Sequence, residues 1–152
     1  MKTYRVGMIG FGFIGKVHAY GHLNLPLFYD QDDFRTEITH VCTSKPETAR
    51  KGAAQIGAPN AVTDFHAITD NPDIDIVDIC TPNHLHCEAV LAAIKHQKHI
   101  YCDKPLTATV AEAEALAGLV AASGRLFAVT YNYTGYPLIR QARAMVAAGA
   151  IG

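Results

Sequence analysis

Short apolar stretches alternate along this chain with longer segments in which apolar residues recur at helical spacing. The short stretches predict strands, at residues 4–9, 37–42, 60–63, 74–80, 98–102 and 126–131. The longer segments predict helices, at residues 13–23, 46–56, 65–69, 87–95, 109–123 and 137–148. Strands that alternate with helices over a whole chain are typical of an α/β protein with a doubly wound parallel sheet and right-handed crossovers.

Boundary signals support most of these helices. Pro46 begins one of them, at a position where a missing backbone N–H costs nothing, and Thr109 and Glu112 have the spacing of a capping box. Gly57 and Gly124 follow predicted helices and are natural stops. Residues 24–35 break the pattern and predict an irregular excursion, since this segment contains Pro26, Phe28, Tyr29, Asp30, Asp32 and Asp33.

The first predicted strand runs directly into a glycine turn, GFGFIG, that precedes the first predicted helix. Its glycines have the G-x-G-x-x-G spacing of dinucleotide-binding turns, in which each has a separate task. Gly10 permits the tight turn, Gly12 lets the backbone approach a pyrophosphate, and Gly15 lets the helix pack closely. The free N–H groups of Phe13, Ile14 and Gly15 then face the phosphates at the positive end of the helix dipole. A glycine-rich turn in another α/β protein, such as a methyltransferase-like fold, is the alternative.

The end of the second predicted strand bears on the choice of cofactor. NAD-binding units carry an Asp or Glu at this tip, which binds the ribose 2′-hydroxyl, whereas this chain has Thr43, Ser44 and Lys45. Two hydroxyls and an ammonium suit a 2′-phosphate, so we expect NADP(H) to be preferred over NAD(H). An ordinary polar loop, with Glu47 reaching back to the ribose, is the alternative.

Two further predicted strands end in polar loops. Residues 81–86, TPNHLH, follow the fourth strand, and Asp103-Lys104-Pro105 follow the fifth. Ligands of open parallel sheets bind at the carboxyl ends of strands, so Asn83 is a candidate for the nicotinamide amide or ribose. A lysine before proline is held extended, which allows Lys104 to point into the cleft. A simple charged turn is the alternative for Lys104.

Composition narrows the partners and the setting. The net charge of −1 provides no electrostatic basis for binding nucleic acid or an anionic membrane. No apolar run approaches the ~20 residues of a transmembrane helix, and we expect no signal peptide. The four cysteines form no C-x-x-C pair, so reduced thiols and a cytoplasmic location are expected. His18 and His22 share a helical spacing, but no acidic or cysteine partner is evident for them. His84 and His86 lie near Cys80 and Cys87 without a recognised zinc pattern, so we predict no metal.

Taken together, the ordered motifs resemble the glucose–fructose oxidoreductase and inositol dehydrogenase family (Gfo/Idh/MocA). They are GFGFIG with His18 three residues on, TPNHLH, DKP, and the final segment YNYTGYPLIRQARAMVAAGAIG, which is similar to the family's linker helix. The resemblance covers nearly the whole chain. It implies an NAD(P)-dependent oxidoreductase that acts on a hydroxyl or carbonyl carbon of a sugar, cyclitol or similar polyol.

The resemblance also implies roles for individual residues. It implies that Asn83 and the Thr81-Pro82 loop contact the nicotinamide side of the cofactor. Lys104 matches the lysine of the family's E-K-P motif, and is expected between the nicotinamide ribose and the substrate hydroxyl. Two positions depart from the family pattern: Asp103 stands for the glutamate of E-K-P, and Thr134 for an arginine. The full set of residues expected to bind the cofactor is Gly10, Phe11, Gly12, Phe13, Ile14, Gly15, Thr43, Ser44, Lys45, Thr81, Pro82, Asn83, His86, Asp103 and Lys104.

Family members are roughly twice this length, and their second domain supplies most substrate contacts and the proton-transferring group. We therefore expect residues 1–131 to form a dinucleotide-binding domain, and residues 132–152 a linker helix toward a second domain that this chain lacks. The chain alone is expected to be inactive, and the whole protein to be a homo-oligomer. A stand-alone dinucleotide-binding sensor or assembly module without turnover is the alternative.

Overall fold

The computed structural model describes residues 1–30 and 33–151, in which strands and helices alternate. Six strands are present: β1 Lys2–Ile9, β2 Phe34–Cys42, β3 Asn60–Val62, β4 Ile76–Ile79, β5 His99–Asp103 and β6 Phe127–Thr130. Six α-helices lie between or after them: α1 Phe13–Phe28, α2 Pro46–Ile56, α3 His66–Thr69, α4 His86–Lys95, α5 Val110–Ser123 and α6 Pro137–Ala147. Short 3₁₀ turns span Asn83–Leu85 and Asn132–Gly135.

All six strands are parallel and lie in the order β3-β2-β1-β4-β5-β6. The chain moves outward from β1 to β3, then returns past β1 to continue with β4. The strand order therefore reverses between β1 and β4, and a crevice opens there at the carboxyl ends of the strands. The predicted doubly wound parallel sheet is confirmed.

Two buried apolar clusters cover the two faces of the sheet. Along β1, Val6 and Met8 join α1 and α2 in one cluster, while Ile9 belongs to the other, with residues of α3, α4 and α5. This alternation follows from the two-residue period of a strand. A Cβ on Gly7 would collide with Ile68 of α3, so this glycine allows α3 to pack directly on β1.

The first helix is longer than the sequence predicts. It continues past residue 23 to Phe28 and includes Pro26 in its final turn. A proline beyond the first turn removes one helical hydrogen bond and crowds the carbonyl four residues earlier. The helix nevertheless closes after Pro26, where the N–H of Tyr29 donates to the carbonyl of Leu25. Strand β2 begins at residue 34, so most of the predicted excursion is regular structure. Gln31 and Asp32 of that segment lie outside the described residues.

The predicted boundary signals of other helices are present. The Thr109 side chain accepts a hydrogen bond from the N–H of Glu112. The Glu112 carboxylate accepts one from the N–H of Thr109, as a capping box requires. Gly57 and Gly124 both end helices in the left-handed conformation. Helix α6 differs from the others because none of its residues is buried. Its packing is mainly against the short turn that precedes it.

Candidate functional site

The glycine turn lies at the reversal of strand order, and its three glycines meet different surroundings. Gly10 has a φ of +94°, and a Cβ there would lie 2.7 Å from the Cys80 carbonyl oxygen. A Cβ on Gly15 would collide with the carbonyl oxygen of Gly10. At Gly12 a Cβ would meet no described protein atom within 4 Å. Gly10 and Gly15 are thus required by the fold, whereas the space at Gly12 is left open for a ligand.

Helix α1 begins at Phe13, with Gly12 as its N-cap residue. The first N–H groups of a helix have no intrahelical acceptor, and the first helical hydrogen bond runs from Lys16 to the Gly12 carbonyl. The glycine turn therefore presents backbone donors and the positive end of a helix dipole beside the open space at Gly12. This arrangement suits a pyrophosphate.

A first cavity, of about 560 Å³, opens on the β2 side of the glycine turn. Its walls come from the turn and from the ends of β1, β2, β3 and β4, with the lining residues Ile9, Gly10, Phe11, Gly12, Cys42, Thr43, Ser44, Thr48, Thr63, Phe65, Cys80, Thr81, Pro82 and Leu85. No carboxylate is among them. Within the described residues the buried Thr81 hydroxyl has no hydrogen-bond partner, which is the signature of a polar atom that a ligand would satisfy.

The tip of β2 is organised by hydroxyl groups. Thr43 and Thr48 both donate to the carbonyl of Lys45, at 3.0 and 2.9 Å, and their oxygens lie 2.5 Å apart. Thr43 and Ser44 line the first cavity, as the sequence predicts, and Thr48 joins them. Lys45 is the N-cap residue of α2. Its side chain is exposed and does not line the cavity. Thr48 is not predicted from the sequence, although its place in the first turn of α2 is a usable signal.

A second cavity, of about 440 Å³, opens on the other side of the start of α1. It is lined by Ile14, Val17, His18, Asp103, Lys104, Thr130, Tyr131, Asn132, Tyr133 and Thr134. Lys104 is exposed and Asp103 half-buried, and the Lys104–Pro105 peptide bond is cis. This cavity brings Asp103 and Lys104 together with Ile14, and the segment after β6 adds a tyrosine-rich wall.

Other predicted residues are placed differently. Thr81 and Pro82 line the first cavity, whereas the family resemblance implied the nicotinamide side. Phe13 and Asn83 are exposed and line neither cavity.

His86 is fully buried behind the two cavities. Its Nδ1 lies 2.9 Å from the Pro105 carbonyl oxygen, and its Nε2 lies 2.7 Å from that of Thr81. Its ring thus joins the loop after β4 to the loop after β5, and it lies on neither cavity wall. The expected contribution of His86 to cofactor binding is therefore indirect, because both ring nitrogens already face backbone carbonyls.

A buried polar cluster lies behind the second cavity. Asp78 of β4 is fully buried, with one oxygen 2.8 Å from Nδ1 of His18 and the other 3.3 Å from Nε2 of His22. Cys80 Sγ lies 3.2 Å from the same His18 nitrogen. The two helical histidines therefore do have acidic and cysteine neighbours, which their spacing alone did not reveal. The available signal was a carboxylate inside the otherwise apolar strand segment IVDI.

The pKa values of this cluster indicate an ion pair with a protonated thiol nearby. Burial opposes the charged forms, but the hydrogen bond and charge of Asp78, with the charge of Asp103, raise the pKa of His18 above its usual value. For Asp78, burial is outweighed by the hydrogen bond from His18 and by the charges of His18 and His22, so its pKa is lowered. Burial and Asp78 strongly raise the pKa of Cys80.

His18, Asp78 and Cys80 have potential metal-ligand atoms within 4.8 Å of one another. The 2.8 Å contact between His18 and Asp78 and the protonated thiol are, however, features of a hydrogen-bonded cluster.

The sequence profile of the oxidoreductase family Gfo/Idh/MocA, described as an NAD-binding Rossmann fold, matches residues 4–131. The chain belongs to this family. The resemblance stated from the motifs is therefore confirmed, and the Rossmann fold found above is the family's NAD-binding domain.

Several Gfo/Idh/MocA relatives match across most of the chain. The levoglucosan dehydrogenase of Pseudarthrobacter phenanthrenivorans is 37% identical over 100% of the chain and 39% of its own length. The scyllo-inositol 2-dehydrogenase (NADP(+)) of Bacillus subtilis is 32% identical over 87% of the chain and 34% of its own length. A solved levoglucosan dehydrogenase in complex with NADH and L-sorbose superimposes with a TM-score of 0.94, at 37% identity, over 100% of this chain and 41% of that one. The chain thus spans about 40% of the length of these relatives.

Among residues 1–30 and 33–151, no helix combines the length and apolar character that crossing a membrane would require.

Proposed function

We propose that this chain is the cofactor-binding part of an oxidoreductase that transfers hydride between a nicotinamide dinucleotide and a hydroxyl or carbonyl carbon of a small polyhydroxylated substrate. One observation carries the proposal: two cavities lie on opposite sides of the glycine turn, with open space at Gly12 between them. A dinucleotide is two nucleosides joined by a pyrophosphate, so each cavity takes one nucleoside and the turn takes the bridge.

The residues present fit such a cofactor. The open position at Gly12 and the donors that begin α1 accommodate the pyrophosphate. The free Thr81 hydroxyl and the β2 tip offer polar partners to the adenosine half in the first cavity. The nicotinamide half then lies in the second cavity, beside Lys104. When bound, the nicotinamide ring supplies the hydride chemistry, and the chain contributes binding, orientation and charge.

Lys104 is the proposed catalytic residue of this chain. It follows β5 at the carboxyl end of the sheet and lines the second cavity, where a substrate would meet the nicotinamide. An ammonium there stabilises the negative charge that develops on a substrate oxygen as its proton leaves. The loop after β5 is held from behind by the contact between His86 and the Pro105 carbonyl. His86 thereby fixes the backbone next to Lys104.

We propose further that NADP(H) is preferred over NAD(H). The first cavity has no lining carboxylate to bind a ribose 2′-hydroxyl, while Ser44 and Thr43 line it and Lys45 follows them with a free ammonium. Relatives differ in this respect, because one is an NADP(+) enzyme and another was solved with NADH.

Titration of the chain with NADPH and NADH, followed by nicotinamide fluorescence or calorimetry, tests both proposals. Tighter binding of NADPH supports the whole assignment. Tighter binding of NADH supports the dinucleotide site and contradicts the cofactor preference, with Glu47 as the next residue to change. Failure of both to bind would contradict the proposed function of this chain.

The stand-alone binding module is the competing function. It predicts cofactor binding with no effect of Lys104 on any turnover. The full oxidoreductase, its cytoplasmic location and its homo-oligomeric state are all part of our proposal, and the four free cysteines of the chain agree with a reducing compartment.

A further inference from the structure

The buried cluster of His18, His22, Asp78 and Cys80 has no task in the function proposed above. The His18 and Asp78 side chains are 4% and 0% exposed, and Nδ1 of His18 lies 2.8 Å from the Asp78 carboxylate. A carboxylate removed from water in this way is stable only when it is paired and hydrogen-bonded. The cluster therefore contains an ionisable pair whose net charge depends on one proton of His18.

His18 is the member of this cluster that reaches the second cavity. It lines the cavity together with Asp103 and Lys104, and its Nε2 lies 3.4 Å from the Thr130 hydroxyl on the same wall. The Tyr101 ring lies against the other side of the imidazole, with centroids 4.8 Å apart. Because Nδ1 is hydrogen-bonded to Asp78, a change in protonation occurs at Nε2, the nitrogen on the side of Thr130.

The second cavity is where the proposed function places the nicotinamide ring, and the present inference rests on that placement. The two redox forms of the cofactor share the same adenosine and pyrophosphate. They differ in the charge of the nicotinamide ring, which is positive when oxidised and neutral when reduced. A charge in the wall of this cavity therefore acts differently on the two forms.

We propose that His18, through its pairing with Asp78, sets the relative affinity of the site for the oxidised and the reduced cofactor. Protonated His18 places a positive charge at the cavity wall and makes the pair neutral overall, which disfavours the oxidised ring. Neutral His18 leaves the Asp78 carboxylate as the net charge of the pair, which favours the oxidised ring. His18 acts through charge and position and takes no part in bond making, so it is a positioning residue.

Other titratable groups face His18 from each packed element. They are His22 on α1, Asp78 and Cys80 at the end of β4, Tyr101 and Asp103 on β5, and Lys104 beside the same cavity. Burial opposes the charged ring, but the hydrogen bond and charge of Asp78, with the charge of Asp103, raise the pKa of His18 and so favour its protonated form.

The test compares dissociation constants of the oxidised and reduced forms of the preferred cofactor, measured on the chain between pH 5.5 and 9. We expect the dissociation constant of the oxidised form, divided by that of the reduced form, to fall roughly tenfold as the pH rises. This magnitude follows from the interaction of one unit charge with the nicotinamide ring at about 10 Å in an effective dielectric of about 20. The midpoint should coincide with the titration of the His18 ring, followed by long-range ¹H–¹⁵N NMR, and should lie above the usual value near 6.5.

Substitutions test whether the pH dependence of the affinity ratio arises from His18 and Asp78. Asp78→Asn keeps the shape of the carboxylate and removes its charge, so the midpoints of the ring titration and of the affinity ratio should both move to lower pH. His18→Gln removes the titrating group, and the ratio should become independent of pH. Asp70→Asn is the matched control, because Asp70 also lies between two histidines, His66 and His96, but at the surface. It should change neither measurement, and circular dichroism establishes that each variant is folded.

A ratio that does not depend on pH in the unmodified chain would overturn the inference. So would a pH dependence that persists in His18→Gln, because another group would then be responsible. Failure of both cofactor forms to bind at every pH would instead contradict the proposed function, and this inference with it.

Discussion

Gly10 and Gly12 lie two residues apart, yet they serve the fold and the ligand separately. A side chain at Gly10 would meet the backbone of Cys80 and would have to adopt a φ of +94°, a conformation that costs an L-residue roughly 1–3 kcal/mol. A side chain at Gly12 would meet no described protein atom within 4 Å. The same motif thus contains one residue needed for folding and one that we propose is needed for binding.

Gly12→Ala should therefore leave the free energy of unfolding within about 1 kcal/mol of the original and abolish dinucleotide binding, since its methyl group occupies the pyrophosphate position. Gly10→Ala should destabilise the chain by roughly 3 kcal/mol or more, because strain and collision add. Urea unfolding and cofactor titration measure the two effects. Gly21→Ala, in an open position of α1, is the control. Unimpaired cofactor binding by Gly12→Ala would contradict the assigned pyrophosphate site.

Lys45→Ala should weaken the binding of NADPH about tenfold and that of NADH much less, because a charged hydrogen bond to a phosphate contributes about 1.5–3 kcal/mol. Parallel titrations with the two cofactors measure this. Lys51→Ala, an exposed lysine of the same helix, is the matched control. Equal losses for the two cofactors would show that Lys45 does not contact a 2′-phosphate.

Lys104→Ala should lower turnover of the complete oxidoreductase roughly 10²- to 10³-fold, while it should weaken binding of the reduced cofactor to the chain far less. Steady-state kinetics with a polyol substrate, and the cofactor titration, measure the two quantities. Lys95→Ala, at the exposed end of α4, is the control. Turnover close to the original would mean that Lys104 only shapes the turn, as the binding-module alternative requires.

At the scale of elements, the start of α1 organises the site and α6 stands apart. The N-terminus of α1 separates the two cavities, and its third turn carries His22 beside the buried Asp78. Helix α6 has the amphipathic sequence of a packed helix, yet buries none of its residues. The apolar side chains of α6 are therefore a surface without a partner in the described chain.

We expect this chain to self-associate through the apolar side of α6, where Leu138 is 81% and Met145 39% exposed, with Ala142 between them. Sedimentation velocity at rising concentration should show dimers or larger species. Leu138→Glu should shift the distribution toward monomer, while Arg140→Glu, an exposed position of the same helix, should not. A chain that remains monomeric at high concentration would contradict this prediction.

At the scale of the whole molecule, the buried His18–Asp78 pair links helix α1 to strand β4 across the sheet face. A histidine whose pKa is raised by folding stabilises the folded chain. This contribution is complete below the pKa of the unfolded chain, near 6.5, and is lost as the pH rises through the pKa of the folded chain. A carboxyl group whose pKa is lowered by folding also stabilises the folded chain. This contribution is present above about pH 4, the pKa of the unfolded chain, and is lost as the pH falls through the pKa of the folded chain. The pair therefore contributes most between about pH 4 and 6.5.

Asp78→Asn should accordingly cost about 3 kcal/mol of unfolding free energy near pH 5.5, since it leaves its histidine partners without a counter-charge. The cost should be smaller at pH 9, because the missing counter-charge matters less as His18 loses its proton. Urea unfolding at both pH values measures the difference, with the surface variant Asp70→Asn as control. An equal cost at the two pH values would contradict the ion pair.

The sequence by itself was sufficient for the architecture, the glycine turn and the loops that follow β4 and β5, because these depend on local signals. Strand and helix periods, helix caps, and glycines at fixed spacing are readable along the chain. The same local signals failed at α1, which continues through Pro26 to Phe28 although its last three residues are exposed.

Only the tertiary structure decided which distant side chains meet. His18 and Asp78 are 60 residues apart in sequence, and their contact exists because β4 lies directly beside β1 and under α1. The same is true of His86, whose ring joins two loops that only the strand order brings together, and of Thr81, which faces the first cavity. A parallel sheet gathers the carboxyl ends of sequence-distant strands at one edge, so the chemistry at that edge is set by strand order, which no local pattern encodes.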